Sequence, residues 1–194
     1  VTTHGRRLGG GIALALLAGC SLVPDDETAT TSPTPAVGRE PVVLDVVEGP
    51  ARRDGRTGDG GTATGDEPQR AVPRWVQLRA ATIPTLEDPY VVDIHGATLY
   101  RSDEDANEPS MSRCTDECAT TWLPVTMRDH GTVYVAGVAR DRISAIVRQD
   151  DSLQLTIDGW PLYRYVRDEE PGETRGQGVD DAWFAVGITG ERVE

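Results

Sequence analysis

Residues 159–184 read GWPLYRYVRDEEPGETRGQGVDDAWF, and this stretch decides the fold. Within it, Tyr163, Tyr165 and Asp168 form a Tyr-x-aromatic-x-x-acid pattern. A Gly-rich turn, Gly176-Gln177-Gly178, follows, and then the pair Trp183-Phe184. An earlier stretch echoes it without a gap: GATLYRSDED at 96–105 lines up with GWPLYRYVRD at 159–168. Past a small gap, Trp122 and Val125 line up with Trp183 and Val186. The chain therefore reads as two copies of one unit of about 60 residues.

Working outward, short strand signals alternate with turn residues. Residues 75–83 read as a first strand, punctuated by Pro84 and Asp88-Pro89. Residues 90–95 and 98–101 read as a hairpin about Gly96, and 102–113 as a polar loop. Residues 114–121 suit one or two helical turns, closed by Trp122 and Pro124. Further strands are expected at 132–136, 161–165, 182–186 and 191–193. Residues 143–148 and 153–157 flank Asp150-Asp151 as a hairpin. The expected fold is a mainly β, single antiparallel domain built from two pseudo-repeats. Its only Phe is Phe184, so the four Trp and five Tyr must supply the large side chains of the core.

These motifs resemble a bacterial lipoprotein family marked by Yx(FWY)xxD, also described as a secreted repeat of unknown function. The second copy matches in full through Tyr163, Tyr165 and Asp168, and Pro171-Gly172, 176–179 and Trp183 are also similar. The first copy keeps Tyr100 and Asp105 but carries Ser102 where the aromatic belongs. Its tail, Cys114-x3-Cys118-x3-Trp122-x-Pro124, is similar to the family's Cys and Trp segment. The resemblance implies no activity and no catalytic residue.

The N-terminal third has a different character. Arg6-Arg7 precede an apolar run at 8–18, too short to span a bilayer comfortably. Leu17-Ala18-Gly19-Cys20 then reads as a lipobox. Residues 1–19 are thus expected to be a lipoprotein signal peptide, with Cys20 the lipidated residue. Residues 20–73 are rich in Thr, Pro, Gly, Asp and Arg, and read as a disordered tether. The apolar run 42–47 inside it reads as linker, or as a stray strand or short linear patch. Residues 74–194 are the expected β-rich repeat domain.

Charge and cysteine usage narrow the function classes. The net charge is −13 and there is no Lys, so Lys-based Schiff-base chemistry is excluded and nucleic-acid binding is disfavoured. Anionic headgroups repel such a chain, so the expected membrane contact is the N-terminal lipid, with two or three acyl chains holding firmly. Three cysteines leave Cys114 and Cys118 as a pair once Cys20 is lipidated. At helical spacing their Cα atoms would lie ~6 Å apart, within disulfide range. They read as a structural staple. The alternative is a redox couple or soft copper site, with His95, His130 and Met111 completing it.

Tyr100, Asp105, Tyr163, Tyr165, Asp168, Trp122 and Trp183 carry two readings. In one, the tyrosines pack while Asp168 pins the 176–179 loop. In the other, aromatics and carboxylates form a recognition surface. Asp103, Asp105 and Asn107 mimic the start of a calcium loop, which fails at Glu108 and Cys114. No phosphate loop, haem motif, zinc-protease motif or nucleophile elbow occurs, and no cofactor is expected. The expectation is a lipid-anchored extracytoplasmic, non-enzymatic binding or envelope-associated module. Its protein or small-molecule partner is not given by the sequence. The alternative is a redox or copper-handling lipoprotein.

Overall fold

The computed structural model describes residues 42, 44–54 and 72–194. The expected signal segment, Cys20 and most of the expected tether lie outside the described residues. Among the described residues no helix is long and apolar enough to cross a membrane.

Among the described residues, fourteen strands and one short α-helix follow in chain order. β1 is Asp45–Glu48, β2 Trp75–Ala81, β3 Tyr90–Val92, β4 Tyr100–Ser102, and β5 and β6 are Ala106–Asn107 and Ser110–Met111. α1, Asp116–Thr121, leads into β7, Trp122–Pro124. Then come β8 Thr126–Met127, β9 Thr132–Ala136, β10 Ile143–Val147, β11 Leu153–Ile157 and β12 Trp160–Pro161. β13, Tyr163–Tyr165, and β14, Trp183–Ala185, complete the set. The strands form three main sheets, ordered β1-β9-β2-β3, β10-β11-β12 with β8 also on β11, and β14-β4-β13-β7. The fold is mainly β and largely antiparallel. The predicted 143–148/153–157 hairpin is β10–β11, with Ile143 opposite Ile157.

β5 and β6 fall within the expected loop 102–113, 191–193 contributes only a bridge between Arg192 and Val186, and two further departures concern β9. The run 42–47, read as part of the tether, contributes β1, which pairs parallel with β9 from Asp45↔Thr132 to Glu48↔Val135. Val42, Leu44 and Val46 pack against the aliphatic core. Their period of two matches a strand with one buried face, but the strand that receives them is far along the chain. β2 also pairs parallel with β9, from Trp75↔Thr132 to Arg79↔Ala136. The antiparallel expectation therefore fails around β9, which lies between two strands running its own way. The long connection from β2 to β9 gives the chain the length a parallel pair needs.

Beside a small cluster of Ala51, Trp75 and Tyr134, two large cores divide the burial of the described residues. One is aliphatic, including Leu78, Val91, Leu99, Val133, Leu155, Ile157 and Leu162. The other is aromatic, including Tyr90, Tyr100, Trp122, Tyr163, Tyr165 and Trp183. Gly159 turns the chain from β11 into β12 at φ +80, and a Cβ there would collide with the Asn107 carbonyl.

Candidate functional site

The repeated motif meets itself at the middle of one sheet. β4 and β13 run antiparallel with Tyr100 opposite Tyr163. On the outer flank of β4, Ala185 faces Tyr100 and Trp183 faces Ser102. On the outer flank of β13, Pro124 faces Tyr163 and Trp122 faces Tyr165. The two flanks are equivalent under the sequence alignment, so an approximate two-fold axis passes between the two tyrosines.

The side chains obey the same symmetry and cross it. Tyr100 Oη of the first copy donates to Asp168 Oδ2 of the second at 2.6 Å. Tyr163 Oη of the second donates to Asp105 Oδ2 of the first at 2.7 Å. Each carboxylate uses its other oxygen on its own loop. Asp105 Oδ1 accepts the Arg113 N–H at 2.7 Å, and Asp168 Oδ1 accepts the Arg175 N–H at 2.9 Å. The motif acid of each copy thus fixes its own following loop and receives the tyrosine of the other copy.

The aromatics close the junction. Trp122 and Trp183 stack with centroids 3.8 Å apart and planes 3° apart. Tyr100 meets Trp122 edge-on at 5.4 Å, and Tyr163 meets Trp183 edge-on at 5.0 Å. The departure at Ser102 is where the symmetry breaks. Tyr165 stacks on Trp122 at 4.3 Å, while its counterpart Ser102 accepts the Glu104 N–H instead. Gly176 brings the second loop down on this cluster. A Cβ there would sit 2.8 Å from the Tyr100 ring and 2.9 Å from Trp122, so no side chain fits.

Burial sets the electrostatics. Tyr100 and Tyr163 are both 0 % exposed. Desolvation, then the facing carboxylate, pushes both phenols well above the ordinary tyrosine range, so they act as neutral donors. Desolvation likewise raises Asp105 and Asp168, against the N–H and phenol hydrogen bonds that favour their charged forms. Nearby, Arg164 Nε pairs with Asp93 Oδ2 at 2.8 Å, both buried. Asp93 Oδ1 also accepts the N–H groups of His95 and Ala97, closing the Gly96 turn.

The recognition-surface reading of the motif meets this burial directly. Tyr100, Tyr163, Tyr165, Asp105, Trp122 and Trp183 all lie inside the fold, and Asp168 is half-buried in the loop it anchors. The phenols of Tyr100 and Tyr163 and the carboxylates of Asp168 and Asp105 are turned onto one another.

Cys114 and Cys118 are joined in a disulfide with Cα atoms 5.2 Å apart. Cys114 is buried against the aromatic core, and its carbonyl accepts Arg148 Nη2 at 2.9 Å. The alternative metal set is not assembled. The thiols are spent on each other, His95 lies in the Asp93 turn, and His130 pairs with Asp129 on an exposed loop. Met111 ends β6. Among the described residues no group of three or more His, Cys, Asp or Glu is placed to hold a metal ion.

Sequence reasoning passed over the groups beside the second motif. Arg148 Nη1 donates to Ser112 Oγ at 3.0 Å and to Gln154 Oε1 at 2.6 Å. Ser112 Oγ lies 2.7 Å from Tyr163 Oη, so a hydrogen-bonded chain runs from Arg148 through Ser112 and Tyr163 to Asp105. Nothing in the local sequence marks Arg148, because its partners come from the 112–114 loop and from β11. Above it lies a groove of about 460 Å³ between the end of β10, β6 and α1.

Fold and core together define a two-repeat, mainly antiparallel β domain whose copies are locked by exchanged tyrosine–carboxylate bonds. Residues 89–126 and 144–187 each match the family model described as a secreted repeat of unknown function. These two segments are similar to that secreted repeat, and the family's description supports an extracytoplasmic place for the chain. No curated protein and no solved structure matches the chain significantly.

Proposed function

We propose that this chain is a lipid-anchored display module: a rigid extracytoplasmic domain, held to the membrane through Cys20, that acts by binding rather than by catalysis. One observation carries the reading. The Tyr-and-acid motif repeated in both copies spends the phenols of Tyr100 and Tyr163 and the carboxylates of Asp168 and Asp105 on each other across the pseudo-two-fold. The signature therefore builds a platform, and interaction falls to the outer surface. The lipobox at 17–20 supplies the anchor, and the disulfide serves as a staple beneath Trp122.

Anchoring is tested by intact-mass analysis of the mature protein and by fractionation of a Cys20→Ser variant. The expected results are a diacylglyceryl-modified Cys20 at the mature N-terminus and release of the variant from the membrane fraction. An unmodified Cys20, or a variant that stays membrane-bound, would remove the anchor from the account. Binding is tested by photocrosslinking from surface positions in intact cells, where a module of this kind gives discrete, position-dependent adducts. Crosslinking that is the same from every face would count against it.

A further inference from the structure

The groove beside α1 has the construction of a strand-accepting site. β10 is an edge strand of its sheet, hydrogen-bonded on one side to β11. The flanking bonds Arg148 N–H to Ser152 O and Asp158 N–H to Arg142 O fix which residues face β11. By the alternation of an antiparallel ladder, the N–H and C=O groups of Ala145 and Val147 point the other way, to the open edge. Among the described residues no hydrogen bond reaches them there.

Val147 of this edge also lines the groove beside α1, and Ala145 lies just beyond its lining. The groove is lined by Met111, Ala119 and Ile146 as its apolar part and by Asp116 and Asp150 at its rim. Met111 is one of two large apolar side chains exposed among the described residues, at 42 %. Arg148, the one cation in the lining, is turned inward to Ser112, Gln154 and the Cys114 carbonyl. The free charge of the groove is thus negative, on a chain of net charge −13.

The geometry points to an occupant: an extended, cationic peptide segment of another protein. It would add a strand to β10, bond to the main chain of Ala145 and Val147, and set an apolar side chain against Met111, Ala119 and Ile146. Its Lys or Arg side chains would meet Asp116 and Asp150. Strand addition takes affinity from the main chain and specificity from alternate side chains, and this groove offers both. A second copy of this chain is a poorer fit, because it brings another net −13 and the same two carboxylates. This inference rests on the binding-module reading and gives that reading a site.

The test uses the full chain in zwitterionic detergent and a fluorescein-labelled, capped heptapeptide of alternating Lys and Val, followed by fluorescence anisotropy. Saturable binding is expected, weakened about tenfold or more by N-methylating alternate amides of the peptide or by the Asp116→Asn/Asp150→Asn variant. The Asp116→Lys/Asp150→Lys variant is expected to exchange preference to the heptapeptide with Glu in place of Lys. Met111→Glu changes an exposed side chain and is expected to weaken binding with the melting curve unchanged.

Absence of saturable binding would overturn the assignment. So would binding that ignores N-methylation and both Asp116/Asp150 variants. A dimer in sedimentation velocity that Met111→Glu dissolves would assign the edge to a second copy instead. None of these readouts depends on Cys20. Discrete crosslinks from another face, with no peptide binding here, would retain the display module and remove only this groove.

Discussion

Tyr163 Oη donates its single proton to Asp105 and lies within hydrogen-bond reach of the Ser112 hydroxyl. Tyr163→Phe keeps the ring and removes the oxygen, leaving a buried carboxylate oxygen unsatisfied. The expected cost is about 1–3 kcal/mol, read from urea unfolding. Tyr100→Phe is expected to cost a similar amount through Asp168. Asp105 gives a separate prediction, in pH. Its folded pKa is raised, chiefly by desolvation, so the native state holds the proton more tightly than the unfolded chain. That contribution is full below the unfolded carboxylate pKa and is lost as pH rises through the folded one. Stability relative to an Asp105→Asn variant should therefore improve as pH falls from neutral through the folded pKa of Asp105. A gap moving the other way would mean that hydrogen bonding, not desolvation, governs this group. At this scale the sequence was half legible. The pattern marked Tyr163 and Asp168 as a unit, yet each is bonded to the other copy, and spacing within a motif cannot tell an internal partner from an exchanged one.

β1 and the disulfide helix are the elements whose roles are most open to test. β1 covers one edge of β9 and brings Val42, Leu44 and Val46 onto the aliphatic core. A chain beginning at residue 72 should lose roughly 2–5 kcal/mol, seen as a lower urea midpoint than that of the longer chain. An unchanged midpoint would return this segment to the tether. The Cys114–Cys118 bridge closes a very short loop, so a Cys114→Ser/Cys118→Ser variant should lose only about 2 kcal/mol. With Cys114 buried, the pair is expected to resist a glutathione buffer, as structural disulfides with potentials below about −300 mV do. Ready reduction would revive the redox alternative. Strands flanked by Gly, Asp and Pro, such as β10, β11 and β13, could be read locally. β1 was legible only as an alternative, a stray strand, because its alternation is brief, its neighbours are low in complexity, and the partner that gives it meaning lies beyond the whole first repeat. The parallel pairs at β9 were hidden for the same reason.

As a whole molecule, the described domain holds two copies of one repeat, each similar to the secreted-repeat family, that share one aromatic core. Neither copy holds a complete set of its own tyrosine–carboxylate bonds, and the Trp122–Trp183 stack takes one ring from each. Neither copy is therefore expected to unfold alone. The repeat was visible in the sequence, but its pairing about a two-fold was not, because an alignment of copies carries no information on how they dock. The most direct test is equilibrium urea unfolding of the wild type, Tyr100→Phe and Tyr163→Phe, followed together by tryptophan fluorescence and far-ultraviolet circular dichroism. The account predicts one transition, coincident by both probes, with its midpoint lowered by either substitution. Two separated transitions, or a midpoint that ignores both substitutions, would contradict a core built by exchange between the copies.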